Sequence, residues 1–325
     1  MCLVALALDQ SRRFPLVLAS NRDEFFKRET ARLDWWTPQP GDPAVLGGRD
    51  LESGGTWLGL TTQGRLALVT NVRGGPRADP EAPSRGRIVT DWLAARQDTG
   101  DFWMRTALSG YNGFNLIAAD FQRGECFWAS NTVAYPKQLE RGLYGLSNAL
   151  LDTPWPKVQQ LKARLQASMT AAASVDELAS QLFAALADRN PAGDDQLPQT
   201  GVPLDWERRL SSAFIRNPER AYGTRCSTLV IAERTGRHLT THVFERSFSS
   251  GVGVALLRRA SLRNWPPRYT DAPASGAFEQ AAVSDSELAA AASDEAPAVK
   301  KTRVRSLLKP VPGSRRRGMT GFGSL

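Results

Sequence analysis

Apolar residues recur along this chain in two spacings. Over the first 130 residues they form short runs in facing pairs: 2–8 (CLVALAL) with 15–19 (PLVLA), 56–60 (TWLGL) with 65–71 (RLALVTN), and 114–120 (FNLIAAD) with 126–130 (CFWAS). The polar links DQSRRF, TTQG and QRGE join the pairs, which predicts three β-hairpins, with Gly64 free to take positive φ in the second turn. A fourth pair, 227–233 (STLVIAE) with 239–246 (LTTHVFER), closes around Thr235-Gly236. Elsewhere apolar residues return every three or four positions, which predicts helices over 84–97, 101–109, 154–169 and 174–188. Prolines stand at the start of the third, where a missing N–H is tolerated. The fourth opens on Ser174 with Glu177 three residues later, a capping box. Antiparallel hairpins with helices inserted between them predict a layered α+β fold in which helices cover sheet faces.

This patterning stops near residue 270. Beyond it the composition turns to Ala, Ser, Asp and Glu and then to Lys, Arg, Pro and Gly. That shift predicts one domain over 1–268 and a disordered basic tail over 269–325. The tail also locates the charge. The 325 residues carry 41 basic and 33 acidic side chains, a net +8, and eight of the basic ones (Lys300 to Arg317) follow Glu295 with no acid among them. Setting those eight aside leaves 33 basic against 33 acidic residues. The folded part is neutral, so no specific nucleic-acid partner is expected, while the tail could hold an anionic surface weakly and in a salt-dependent way.

No apolar run reaches the ~20 residues of a bilayer span, and the run 2–8 lacks a basic flank and meets Asp9, which reads against a signal peptide. The three cysteines, Cys2, Cys126 and Cys226, are too scattered for a disulfide framework or a CxxC metal site. A soluble chain in a reducing cytoplasm is the expectation. His238 and His242 share a strand face, but two histidines without a third ligand make a poor metal site, so no metal is expected.

Several polar residues sit where chemistry could be done. Cys2 would become the first residue on removal of Met1, placing a thiol and a free α-amine on one residue; the plainer reading is a small buried side chain. The run SNRDE (20–24) continues an apolar strand and is either a solvated strand end or a way of aiming Arg22 and a carboxylate into a pocket. Asn71 ends RLALVTN and either starts a turn or donates to an oxyanion. Asn148, in GLSNALLDTPWPK, offers a cap or a similar donor. Arg225, in YGTRCST, is either a surface arginine or a site residue.

The blocks MCLVAL, SNRDEF, GGTWLGL with a following TN, GLSNALLDTPWPK and YGTRCST occur in that order over about residues 1–265. Together they resemble the NRDE family, also called the transport and Golgi organisation protein 2 family. That family in turn is similar to N-terminal-nucleophile hydrolases of the penicillin V acylase and bile salt hydrolase branch. The resemblance implies a four-layer α-β-β-α sandwich. It implies Cys2 as nucleophile, Asn71 in the oxyanion hole, Asn148 orienting the cysteine amine, and Arg225 as the late active-site arginine. Those hydrolases carry an arginine and an aspartate three apart after the second strand. Here the run Asn21-Arg22-Asp23-Glu24 offers either Asp23 or Glu24 as the carboxylate, with all four residues expected against the substrate. The implied activity is hydrolysis of an amide or thioester acyl substrate without a cofactor. The alternative is a non-enzymatic carrier of haem or of acyl-coenzyme A and lipid, with any haem held non-covalently because CxxCH is absent.

Overall fold

The computed structural model describes residues 2–74, 78–248, 255–269 and 283–287. The first part of the chain gives β1 (Cys2–Leu8), β2 (Leu16–Phe25), β3 (Thr30–Trp36), β4 (Val45–Asp50), β5 (Leu58–Thr61) and β6 (Arg65–Asn71). Helices α1 (Gly86–Leu93) and α2 (Thr99–Leu108) follow, then β7 (Phe114–Asp120), β8 (Glu125–Ser130), β9 (Lys137–Gln138) and β10 (Gly142–Leu146). Next come α3 (Pro156–Ala171), α4 (Val175–Leu186) and α5 (Leu204–Arg209). The last strands are β11 (Arg216–Asn217), β12 (Tyr222–Thr235), β13 (His238–Ser247), β14 (Leu256–Arg263) and β15 (Ser284–Glu287).

Among the described residues the strands form two antiparallel sheets. One runs β10-β1-β2-β12-β13-β14-β15 with β11 beside β12; the other runs β3-β4-β5-β6-β7-β8-β9. Alternation along each strand sorts the side chains into layers. From β1 and β2, Val4, Leu6, Leu8, Leu16 and Leu18 meet Leu58, Leu60, Leu66 and Leu68 between the sheets. The intervening Leu3, Ala5, Val17 and Ala19 face α3 and α4 through Val158, Leu161, Leu165, Leu178 and Leu182. On the outer face of the second sheet, Ala67, Phe114, Leu116 and Ala118 meet Ile88, Val89, Trp92 and Phe102 of α1 and α2. The order is therefore helices, sheet, sheet, helices, the α-β-β-α sandwich that the resemblance implied.

The four hairpins and four helices lie where the periodicity predicts them, and Gly64 has φ +92 in its turn. Ser174 caps α4 by accepting a hydrogen bond from the Glu177 N–H at 3.1 Å. Two differences matter. Strand β2 runs on through SNRDE to Phe25 instead of ending near Ala19, because β1 on one side and β12 on the other complete its ladder. Within the stretch expected to be tail, Ser284–Glu287 pair with Leu256–Arg259 as β15, and Asp285 forms ion pairs with Arg258 at 3.0 Å and Arg32 at 3.2 Å. The eight basic residues of the tail lie outside the described residues, as does Met1. None of the described helices is long and apolar enough to cross a membrane.

Candidate active site

Cys2 opens β1 directly opposite Arg22 of β2, and Arg22 is opposite Cys226 of β12. Cys2 shares the face of Val4 and Leu6 and so points between the sheets, at their open end. There a cavity of about 340 Å³ is lined by Cys2, Arg22, Asp23, Glu24, Trp57 and Asn71, among others. Cys2 is 8% exposed, and burial pushes its thiol up, with Arg22 opposing. A thiolate there needs help to form.

Arg22, only 5% exposed, lies flat over Trp57 at 4.3 Å and donates from Nη1 to the Thr30 hydroxyl at 3.2 Å. Asp23 is buried and accepts from the Thr224 hydroxyl at 2.7 Å; burial pushes its carboxyl up, while Lys157 and Arg73 pull it down. Glu24 accepts from the Phe25 N–H at 2.9 Å. Asn71 closes β6 at the cavity wall.

The other expected residues are placed differently. Asn21 points to the opposite face of β2, where its Nδ2 donates to the carbonyls of Leu186 at 2.8 Å and Ala213 at 2.9 Å, and the Ser227 hydroxyl donates to its Oδ1. It ties the sheet to the helical layer. Asn148 is fully buried behind the cavity and donates to the Asn71 carbonyl at 2.8 Å. Its neighbour Ser147 donates to the Cys2 carbonyl at 2.9 Å, so Ser147 and Asn148 brace Cys2 and Asn71 together. Arg225 is the bulged residue where the β2–β12 register shifts. Its Nη1 donates to the carbonyls of Phe25, Phe26 and Arg28 at 2.9–3.0 Å, clamping the β2–β3 turn. It lines a separate cavity of about 220 Å³ with Cys226 and Glu245, on the far side of Trp57.

Behind Asp23, Lys157 in the first turn of α3 is buried and donates to the Leu210 carbonyl at 2.8 Å. Burial brings its ammonium down to about 8, with Arg73 pushing the same way and Asp23, Cys2 and Glu207 opposing. An unfolded lysine keeps its proton to pH ~10.4, so between pH 8 and that value the unfolded chain binds more protons and this group's contribution to stability rises with pH. Below pH 8 the buried charge costs up to about 3 kcal/mol. Lys157→Met should therefore gain most over the parent at pH 7.5 and lose most of that advantage near pH 10. Urea unfolding of both proteins at the two pH values reads this, and a constant gap would mean that Lys157 titrates like a surface lysine.

Comparison with known proteins places the chain. A profile described as Transport and Golgi organisation 2 matches residues 1–250. The chain belongs to the Transport and Golgi organisation 2 family. The Bos taurus Transport and Golgi organization protein 2 homolog is 34% identical over 262 residues, covering 74% of this chain and 91% of that protein. The Homo sapiens homolog is 33% identical over 260 residues with the same coverage. Among solved structures, the Caenorhabditis elegans N-acylethanolamine-hydrolyzing acid amidase ortholog is similar with a TM-score of 0.42 and 11% identity, over 71% of this chain and 92% of that one. No activity follows from a likeness at that level.

The blocks MCLVAL, SNRDEF and GGTWLGL with its following TN thus meet at one cavity, while GLSNALLDTPWPK lies behind it and YGTRCST lines the separate one. The sequence reading missed Trp57, although it lies in the quoted block GGTWLGL, because a tryptophan in a strand reads as core. It also missed Arg85, which comes from the start of α1, and Arg28, held by Asp50 at 2.7 Å and Glu52 at 3.4 Å. Nothing local distinguishes these arginines from the rest of an arginine-rich chain.

Proposed function

We propose that this Transport and Golgi organisation 2 family protein is an acyl hydrolase whose nucleophile is Cys2, acting on an amide or thioester. The observation that carries the reading is the meeting of Cys2, Arg22 and Asn71 in one cavity, with Cys2 and Asn71 braced from behind by Ser147 and Asn148. Removal of Met1 would give Cys2 a free α-amine of pKa ~7.7–8.0, a base able to take the thiol proton near neutral pH. The thiolate attacks the carbonyl carbon and forms an S–C bond. The oxyanion that develops is within the province of the Asn71 amide, and Arg22 adds positive charge beside the sulfur. Collapse breaks the C–N or C–S bond, and the ammonium returns the proton to the leaving group. Water, deprotonated by the same amine, then cleaves the thioester and restores the thiol.

Two measurements test this. Intact mass should show a chain lacking Met1, and acyl-enzyme formation on an activated thioester should add mass at Cys2. A chain that retains Met1 and takes up no acyl group would remove the reading. The charged wall of this cavity speaks against a wholly apolar ligand.

A further inference from the structure

The wall of the Cys2 cavity holds three arginines, and they are not equivalent. Arg28 is neutralised by Asp50 and Glu52. Arg22 and Arg85 have no ion pair among the described residues. Among the described residues the one hydrogen-bond acceptor of Arg22 is the neutral Thr30 hydroxyl, and that of Arg85 is the Gly113 carbonyl at 3.1 Å. Arg22 is 5% exposed and stacked on Trp57, and none of its remaining donors is a buried atom left without a partner, so they open into the cavity.

A third positive element points the same way. Helix α1 starts at the cavity wall, through Ser84, Arg85 and Gly86. It has no capping side chain and no acidic residue in its first turn; the Arg87 and Ile88 N–H groups bond the Ser84 and Arg85 carbonyls, and the positive end of its dipole meets no side-chain charge of its own. Its approach is fixed by Gly55 of the GGTWLGL block: a Cβ there would lie 2.5 Å from the Gly86 carbonyl carbon. Of the other carboxylates on the wall, Asp23 accepts from the Thr224 hydroxyl, Asp79 from the Glu81 N–H and Glu24 from the Phe25 N–H, and Glu24 also acts on Arg85 as a nearby negative charge.

We infer that the cavity over Cys2 contains an anion subsite formed by Arg22, Arg85 and the N-terminus of α1, and that the substrate is a compact acyl compound bearing a carboxylate or phosphate close to the carbonyl that Cys2 attacks. This rests on the reading of the Cys2 cavity as the working site and names the substrate class that site takes. An anion would meet the open donors of Arg22 with charge-assisted hydrogen bonds, while Arg85 and the helix end hold its other side. An apolar acyl chain in the same space would strip water from two arginines and return nothing.

The full-length protein is titrated calorimetrically with glutarate, inorganic phosphate and the neutral isostere glutaramide, for the parent, Arg85→Gln and Arg85→Lys. Glutarate or phosphate should bind at least tenfold more tightly than glutaramide, and the stronger of the two says which anion the subsite serves. Arg85→Gln should weaken that anion at least tenfold, and Arg85→Lys should recover part of the loss. Equal binding of glutarate and glutaramide by the parent, or unchanged anion affinity in a folded Arg85→Gln, overturns the inference. In parallel, alkylation of Cys2 by iodoacetate relative to iodoacetamide should exceed the ratio for free cysteine at least tenfold and fall back in Arg85→Gln; a ratio equal to that of free cysteine counts against the subsite. Anion binding that persists while Cys2 resists both reagents would support the subsite and remove the hydrolase reading.

Discussion

Replacing Cys2 by serine should lower acyl-transfer turnover at least tenfold, about 1.4 kcal/mol of transition-state stabilisation, while the melting temperature stays within a few degrees of the parent. Cys2 is buried at the start of β1, but the size of the side chain is nearly conserved, so its packing changes little. What changes is nucleophilicity: a hydroxyl holds its proton far more tightly than a thiol. Because burial raises the Cys2 thiol, the parent's rate should also climb with pH as the attacking thiolate and its base form together. Steady-state kinetics on an activated thioester, from pH 6 to 9, separate the outcomes. A serine variant with both parental turnover and parental ligand affinity would make Cys2 an ordinary member of the core.

Much of this site could be read from the sequence, for reasons that show in particular residues. Cys2, Arg22, Glu24 and Asn71 belong to strands whose apolar runs are plain in the sequence, so their placement follows once β1, β2 and β6 are set. Strand alternation, applied strictly, separates Asn21 from Arg22: neighbours on a strand face opposite ways, and Asn21 ends among the helix carbonyls of the outer layer. Treating SNRDE as one functional patch overlooked that period. Arg225 was out of reach for a different reason. The bulge between Thr224 and Cys226 interrupts the register, and no local pattern announces it. Strands such as β3 (TARLDWW) and β14 (LLRRASLR) also escaped, because charged residues interrupt their apolar positions, and Arg258 and Asp34 pair between the two sheets. Arg85 and Trp57 enter the cavity only through the packing of α1 against Gly55, a contact between residues thirty apart.

Glu207→Gln should destabilise the fold by about 3–5 kcal/mol, the usual cost of breaking one side of a buried ion pair. Glu207 of α5 and Arg73, two residues after Asn71, meet at 2.7 Å with both side chains buried. The second carboxylate oxygen accepts from the Thr200 N–H at 3.1 Å and from its hydroxyl. Arg73 also lies over Trp155 at 4.8 Å, and its Nε and Nη2 are buried without hydrogen-bond partners among the described residues. Burial already pulls the Arg73 guanidinium down, and Glu207 is the main group holding it charged. The glutamine keeps the shape and the contact with Thr200 but leaves a cation in the interior with only the weaker attraction of Asp23. Removing both charges in Arg73→Met/Glu207→Gln should recover most of the loss, the signature of a coupled pair in a double-mutant cycle. The effect should reach the active site as well, since the Arg73 N–H donates to the Asn148 carbonyl at 2.6 Å and Asn148 holds Asn71. Turnover in Glu207→Gln should therefore fall further than its folded fraction does, with Cys2 alkylation by a small neutral reagent little changed. Additive losses in the cycle, or turnover that merely follows the folded fraction, would reduce the pair to a surface-like bridge with no hold on Asn71.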